Sequence, residues 1–164
     1  MLFRSTPWSF LWHVDELEPG STTQANGFTI SSALVIHPCG APATAVRLEA
    51  DGLIFVHSGD TEWTPTLPQI AAGADLLFLE CFALETTPTH LDYHTLVERR
   101  DAFDARHIVL THMGPTMLDH VHLVDRTLFD IAEDGRIFDL RQEGRLREVG
   151  GETRTDRPLR LAAQ

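Results

Sequence analysis

Three short apolar runs in this chain each lead into a side chain able to bind a metal ion. Leu53-Ile54-Phe55-Val56 leads to His57-Ser58-Gly59-Asp60-Thr61, Ala33–Ile36 to His37-Pro38, and Ile108–Thr111 to His112-Met113-Gly114-Pro115. A buried strand stopped by Gly or Pro presents its next polar residue at the strand's carboxyl end, where open α/β sheets place their chemistry. Zinc takes neutral imidazole and carboxylate ligands at about 2.0–2.2 Å, and a catalytic site keeps one position open for water. His37, Asp60 and His112 in this order suit such a centre. Each taken singly is more often a turn acid or a hydrogen-bonded structural histidine.

Other chemistries find less support. No G-x-S-x-G elbow marks a serine nucleophile, and no glycine pattern marks a nucleotide phosphate loop. Cys39 and Cys81 lack a C-x-x-C partner and read as small buried apolar residues. His57 reads as a core or interface residue, and His13, His107, His120 and His122 as structural or exposed. Thr61 and Thr111 read as strand-end hydroxyls satisfied locally. Glu80 closes the apolar run Ala74–Glu80 and is either a hydrated strand-end acid or a partner that orients a neighbouring histidine.

The elements that position these residues follow from pattern. Strands are predicted over 28–36, 43–49, 53–57, 74–80 and 107–111, with Asp51-Gly52 as a hairpin signal and 74–80 buried on both faces. Helices are predicted over 66–72, with Thr64 as N-cap, and over 91–103. Alternation of the later strands with helices is the βαβ signature of a sheet with helices on one face. The earlier hairpin makes the sheet mixed, so the fold class is α/β (α+β). Thr127–Ala132 and Arg136–Leu140 are expected to pair as a hairpin around Glu133-Asp134-Gly135.

Residues 1–27 open on Phe3, Trp8, Phe10, Leu11 and Trp12, too apolar for a free tail, with an edge strand expected over 11–17. They read as the remnant of an upstream segment. Residues 141–164 are charged and without periodicity, and are expected to be a disordered tail.

At 164 residues the chain is one domain by length, and its two cysteines are too few for a disulfide framework. With so few cysteines a reduced cytoplasmic setting is the expectation, and since no run approaches the ~18 apolar residues of a membrane helix, no membrane contact is expected. A formal net charge of −11 argues against broad nucleic-acid binding by the surface, while leaving open a site that handles phosphate through metal ions.

The order of parts in residues 28–140 resembles the C-terminal half of metallo-β-lactamase-fold hydrolases. Those parts are a strand ending in His37, Ser58-Gly59-Asp60-Thr61, the strand-end Glu80, and Leu110-Thr111-His112. Within that superfamily they are most similar to the branch of tRNA 3′-processing nucleases and small phosphodiesterases. The resemblance implies half of an αββα sandwich, two zinc ions, His37 capping the first ion, Asp60 bridging and His112 capping the second. It also implies that Glu80 orients a neighbouring histidine, and that His90, ahead of the 91–103 helix, assists the leaving group. His90 read on its own is equally a helix-capping or exposed residue.

One departure is large: the family's His-x-His-x-Asp-His signature is absent, since His120 and His122 share its spacing but no Asp-His follows. Metal-dependent hydrolysis of a phosphodiester, ester or amide is therefore expected to be weak in this chain alone. The alternative is a non-catalytic truncated fragment or interaction module, pairing through its sheet face as a homodimer or with a missing N-terminal half.

Overall fold

Leu53–His57 and Ala74–Glu80 form adjacent central strands because their side chains are apolar on both sides of the backbone. The computed structural model describes residues 14–141 and 145–149. In it, seven strands form one sheet in sequence order: β1 (Thr22–Ala25), β2 (Phe28–Leu34), β3 (Thr44–Ala50), β4 (Leu53–His57), β5 (Ala74–Glu80), β6 (Ala105–Thr111) and β7 (Asp130–Ile131). The pairs from β1 to β4 are antiparallel hairpins, and those from β4 to β7 are parallel. The parallel half needs crossovers, supplied by α1 (Thr66–Ile70) between β4 and β5 and by α2 (Tyr93–Arg99) between β5 and β6. A short α3 (Pro115–Asp119) follows β6. The expected mixed sheet with helices on one face is the architecture found.

Register sorts the side chains. Partnered residues share a face, so Ala45, Val56, Leu77, Leu79, Ile108, Leu110 and Ile131 point one way. All seven belong to one buried cluster with Leu67 and Ala71 from the α1 region and Tyr93 and Leu96 of α2. Arg47, on the same face, donates to the carbonyls of Ile70 and Ala72 at the end of α1. The opposite face carries Phe28, Ile30, Leu34, Val46, Leu48, Phe55, Leu76, Phe78 and Val109.

Several local readings are corrected. Residues 14–17 carry no strand, and residues 11–13 lie outside the described set. The edge is instead β1, within the stretch read as a remnant. It turns into β2 through Asn26-Gly27, both in the left-handed region (φ 51° and 83°), as a two-residue hairpin of this twist requires. The expected helix 91–103 is shorter. Asp92 stays extended as the N-cap, accepting from the Thr95 N–H at 2.8 Å, and the end tightens to a 3₁₀ turn over Arg100–Ala102. At α1, the Thr64 hydroxyl accepts a long 3.3 Å bond from the Thr66 N–H and donates to the Thr66 hydroxyl, while Pro65 holds the N-cap position without a side-chain cap bond.

The 127–140 hairpin does not form. Asp130–Ile131 extends the main sheet beside β6, whereas β8 (Ile137–Arg141) pairs with β9 (Arg145–Val149) in a separate hairpin. So residues 145–149, read as part of a disordered tail, form a strand; residues 150–164 lie outside the described set. No helix among the described residues is long and apolar enough to cross a membrane.

Candidate metal centre

The site begins where β4 ends. Gly59 has φ +63°, and a Cβ there would lie 2.7 Å from the carbonyl oxygen of Thr44, so only glycine fits this turn. The turn carries Asp60 past the sheet edge, where its side chain is 41% exposed. Ser58 is buried against the neighbouring strand: its hydroxyl donates to the Gly59 carbonyl and accepts from the Glu80 N–H at 3.0 Å. Thr61 fastens the loop on its other side, because its hydroxyl accepts from the Ile36 N–H at 3.1 Å and donates to the Glu62 carbonyl. Its hydroxyl is thus satisfied locally, as the sequence suggested.

Glu80 closes β5 with its side chain 1% exposed. One carboxylate oxygen accepts the Thr61 N–H, and the other lies 2.8 Å from His90 Nδ1. Burial pushes the Glu80 carboxyl above its ordinary value, and the Thr61 N–H and His90 pull the other way. With Nδ1 donating to Glu80, the imidazole keeps its lone pair on Nε2, the atom that binds a metal or moves a proton. Of the two readings of Glu80, the hydrated acid is the one this geometry does not match. His90 is neither a helix cap nor exposed: it lies before the Asp92 cap, 16% exposed. His94 sits exposed on α2, away from this pairing.

His112 follows β6 with φ 54°, a left-handed conformation uncommon outside glycine, and its Nε2 lies 3.5 Å from Asp60 Oδ2. The donor atoms of Asp60, His90 and His112 all lie within 4.8 Å of one another. Donors at zinc distances around a tetrahedral ion are roughly 3.4 Å apart, so this set of two imidazoles and one carboxylate fits such an ion with small movements.

His37 stands beside the cluster rather than in it. Its ring centre is 4.9 Å from that of His90, and its Nδ1 is 2.9 Å from the carbonyl of Thr89, a residue also in the left-handed region (φ 70°). His57 is exposed and accepts the Gly59 N–H at 2.9 Å on Nδ1, outside the donor set. Cys39 is exposed, against expectation, and its thiol donates to the Ala41 carbonyl within the loop between β2 and β3. Cys81 is buried as expected, and burial with the nearby Asp92 and Glu80 carboxylates pushes its thiol up to about 12.

A family model for the β-lactamase superfamily domain matches residues 3–113, which take in every residue of this cluster. The chain belongs to that superfamily. Its curated relatives include ribonuclease Z of Mycobacterium marinum, 31% identical over 117 residues that are 64% of this chain and 42% of the relative. Ribonuclease Z of Mycobacterium tuberculosis is 30% identical over 116 residues, 63% of this chain and 42% of the relative.

Among solved structures, the metallo-β-lactamase fold protein YhfI from Bacillus subtilis superposes with a TM-score of 0.59 at 25% identity, over 71% of this chain and 52% of that one. Zn(2+)-bound PqqB from Methylobacterium extorquens shares the fold, with a TM-score of 0.55 at 17% identity over 72% of this chain and 52% of that one. The superfamily member described here thus spans about half the length of the proteins it matches. The sequence pattern carries Ser58 only within the Ser58-Gly59-Asp60-Thr61 run and gives no sign of its bond to the Glu80 N–H. Gly114 was visible only as a chain breaker after His112.

Proposed function

We propose that this chain carries the Asp60–His112 side of a metallohydrolase centre. In this reading Asp60 and His112 bind a zinc-type ion, His37 serves the first ion of a two-ion site, and His90, held by Glu80, moves the proton of the leaving group. The observation that carries the reading is the convergence of Asp60, His90 and His112 donors beside a buried carboxylate that fixes one of them. When bound, the metal supplies Lewis acidity and lowers the pKa of water towards neutrality. Asp60 and His112 fix the ion at the sheet edge, and Glu80 keeps His90 Nε2 directed at the reacting group.

The substrate class is a phosphodiester or a small ester or amide. The ribonuclease Z relatives favour the first, and the net charge of −11 disfavours a broad nucleic-acid surface. Shared between two ions, His37, Asp60 and His112 leave each ion at most two protein ligands, and zinc centres normally have three or four, so binding is weak. His90 stands close enough to act as the third ligand when a single ion is bound.

Cobalt(II) titration with visible absorption tests this. Asp60→Asn and His112→Ala are each expected to weaken binding at least 10-fold and to remove the absorption of a low-symmetry site. Equal affinity in both variants would overturn the reading. Hydrolysis of an activated phosphodiester is expected to be slow even with metal present, and turnover at rates typical of enzymes would refute the weak-site part alone.

A second reading has its own observation. Phe28 and Leu34 on the sheet's second face are 43% and 55% exposed, and Ile36 just beyond is 49% exposed. A row of large apolar side chains on an open sheet suits an interaction module that pairs with a second copy through this face. Sedimentation over a wide concentration range tests it: a monomer at every concentration rules it out.

A further inference from the structure

We propose that Phe82 is a positioning residue that holds the planes of His90 and His112, and that Gly114 exists in its place to admit the Phe82 ring. The inference deepens the metallohydrolase reading and rests on it. The Phe82 ring centre is 4.4 Å from that of His90 with the planes 20° apart, and 5.6 Å from that of His112 at 33°. The two imidazoles are 5.4 Å apart at 27°. Three flat rings therefore share nearly one orientation.

The backbone of the same residue joins the two loops that carry the histidines. The Phe82 N–H donates to the Leu91 carbonyl at 2.9 Å, one residue past His90, and the Phe82 carbonyl accepts the Gly114 N–H at 2.9 Å, two residues past His112. A Cβ at Gly114 would lie 2.9 Å from both Cζ and the carbonyl oxygen of Phe82, too close for any side chain without displacing the ring.

Core packing does not account for this ring. Cys81 and Ala83 on either side are buried, whereas Phe82 is only half-buried and stands outside the main apolar cluster. Its ring partners are the two site histidines. Glu80 fixes His90 at one atom, and a single hydrogen bond leaves the ring free to rock about it. A flat apolar face against the imidazole removes that freedom, so Nε2 stays aimed where Asp60 and His112 converge. Offset stacking of aromatic rings favours this arrangement energetically.

The experiment uses the full chain as Phe82→Leu, Phe82→Tyr and Gly114→Ala, with three readouts: thermal midpoint, imidazole proton–carbon NMR of the metal-free protein, and cobalt(II) affinity. Phe82→Leu keeps an apolar side chain but loses the flat face. It is expected to move the His90 Cε1–H resonance downfield as the ring current is lost, and to weaken cobalt binding about 10-fold with little change in midpoint. Phe82→Tyr restores both signals, and Gly114→Ala reproduces the resonance shift and the weaker binding, with a lower midpoint because its Cβ also meets the Phe82 carbonyl oxygen. The proposal is overturned if Phe82→Leu leaves the His90 resonance and the affinity at wild-type values. It is equally overturned if all readouts fall together with the midpoint and Phe82→Tyr restores none. Should the wild-type chain bind no cobalt, the metal reading fails, and the NMR arm still decides whether Phe82 sets the His90 plane.

Discussion

The two faces of the seven-stranded sheet are built from similar residues and end in different states. On the helix side, Val56, Leu77, Leu79, Ile108 and Leu110 are at most 2% exposed, closed over by Leu67, Ala71 and Leu96. On the other side the cover is graded along the sheet. Over β5 and β6, Leu76 and Val109 are 5% and 0% exposed, and Phe138 of β8 sets its ring edge against Phe78 at 5.7 Å. Over β2, Phe28 and Leu34 face solvent. The lesson is that apolar pattern marks a face for burial but does not name what buries it. The candidate centre lies at the carboxyl ends of β4–β6, beyond both faces, with the Asp60 and His112 side chains 41% and 42% exposed.

Truncating the helix-side core gives the largest expected effect. Leu110→Ala leaves a cavity among residues that are themselves fully buried, so a loss of about 3 kcal/mol is expected in urea unfolding. For a chain of this size that is a fall of roughly 10 °C in Tm. A loss below about 1 kcal/mol would mean that the helices do not pack on this face.

Phe138→Ala comes next, because it removes the ring that covers Phe78 while leaving the helix side intact. Phe138 is half-buried and Arg136 lies 4.8 Å over its ring, so a loss of about 1–2 kcal/mol is expected. Cobalt affinity should change little, since no donor touches Phe138. If the loss equals that of Leu110→Ala, the second face is as much a core as the first, and the contrast between them fails.

Legibility followed the same division. The bounds of β4 and β5 were readable to the residue, because each is an apolar run closed by a turn residue or an acid. Asp60, Glu80 and His112 were placed correctly at strand ends by that same signal. The Asn26-Gly27 turn is a strong local hairpin signal, close behind aromatic residues whose own pattern suggests a strand over 11–17. What could not be read was non-local. Asp130–Ile131 and Ile137–Arg141 look like one hairpin because two apolar runs flank Glu-Asp-Gly. Their partners, β6 and β9, are chosen by the sheet and not by the turn. The closeness of His90 to Asp60 and His112 depends on Glu80 ten residues earlier, the left-handed Thr89, and the space left by Gly114. None of these leaves a period in the sequence.

Leu34→Ser gives the smallest effect on folding and the sharpest test of the difference between the faces. Leu34 is 55% exposed, so the unfolded chain gains little by exposing it, and stability should stay within about 0.5 kcal/mol of wild type. If the β2 end of the second face pairs with a second copy, the substitution still matters, because it puts a hydroxyl in the middle of a dry contact. In a two-fold pair the same residue is lost from both subunits, so dimer dissociation should shift by twice the single-site cost. Sedimentation of wild type and variant separates the cases. Weaker association with unchanged unfolding assigns the open row to an interface, whereas unchanged association together with lost stability would place Leu34 in a core that the fold closes by itself.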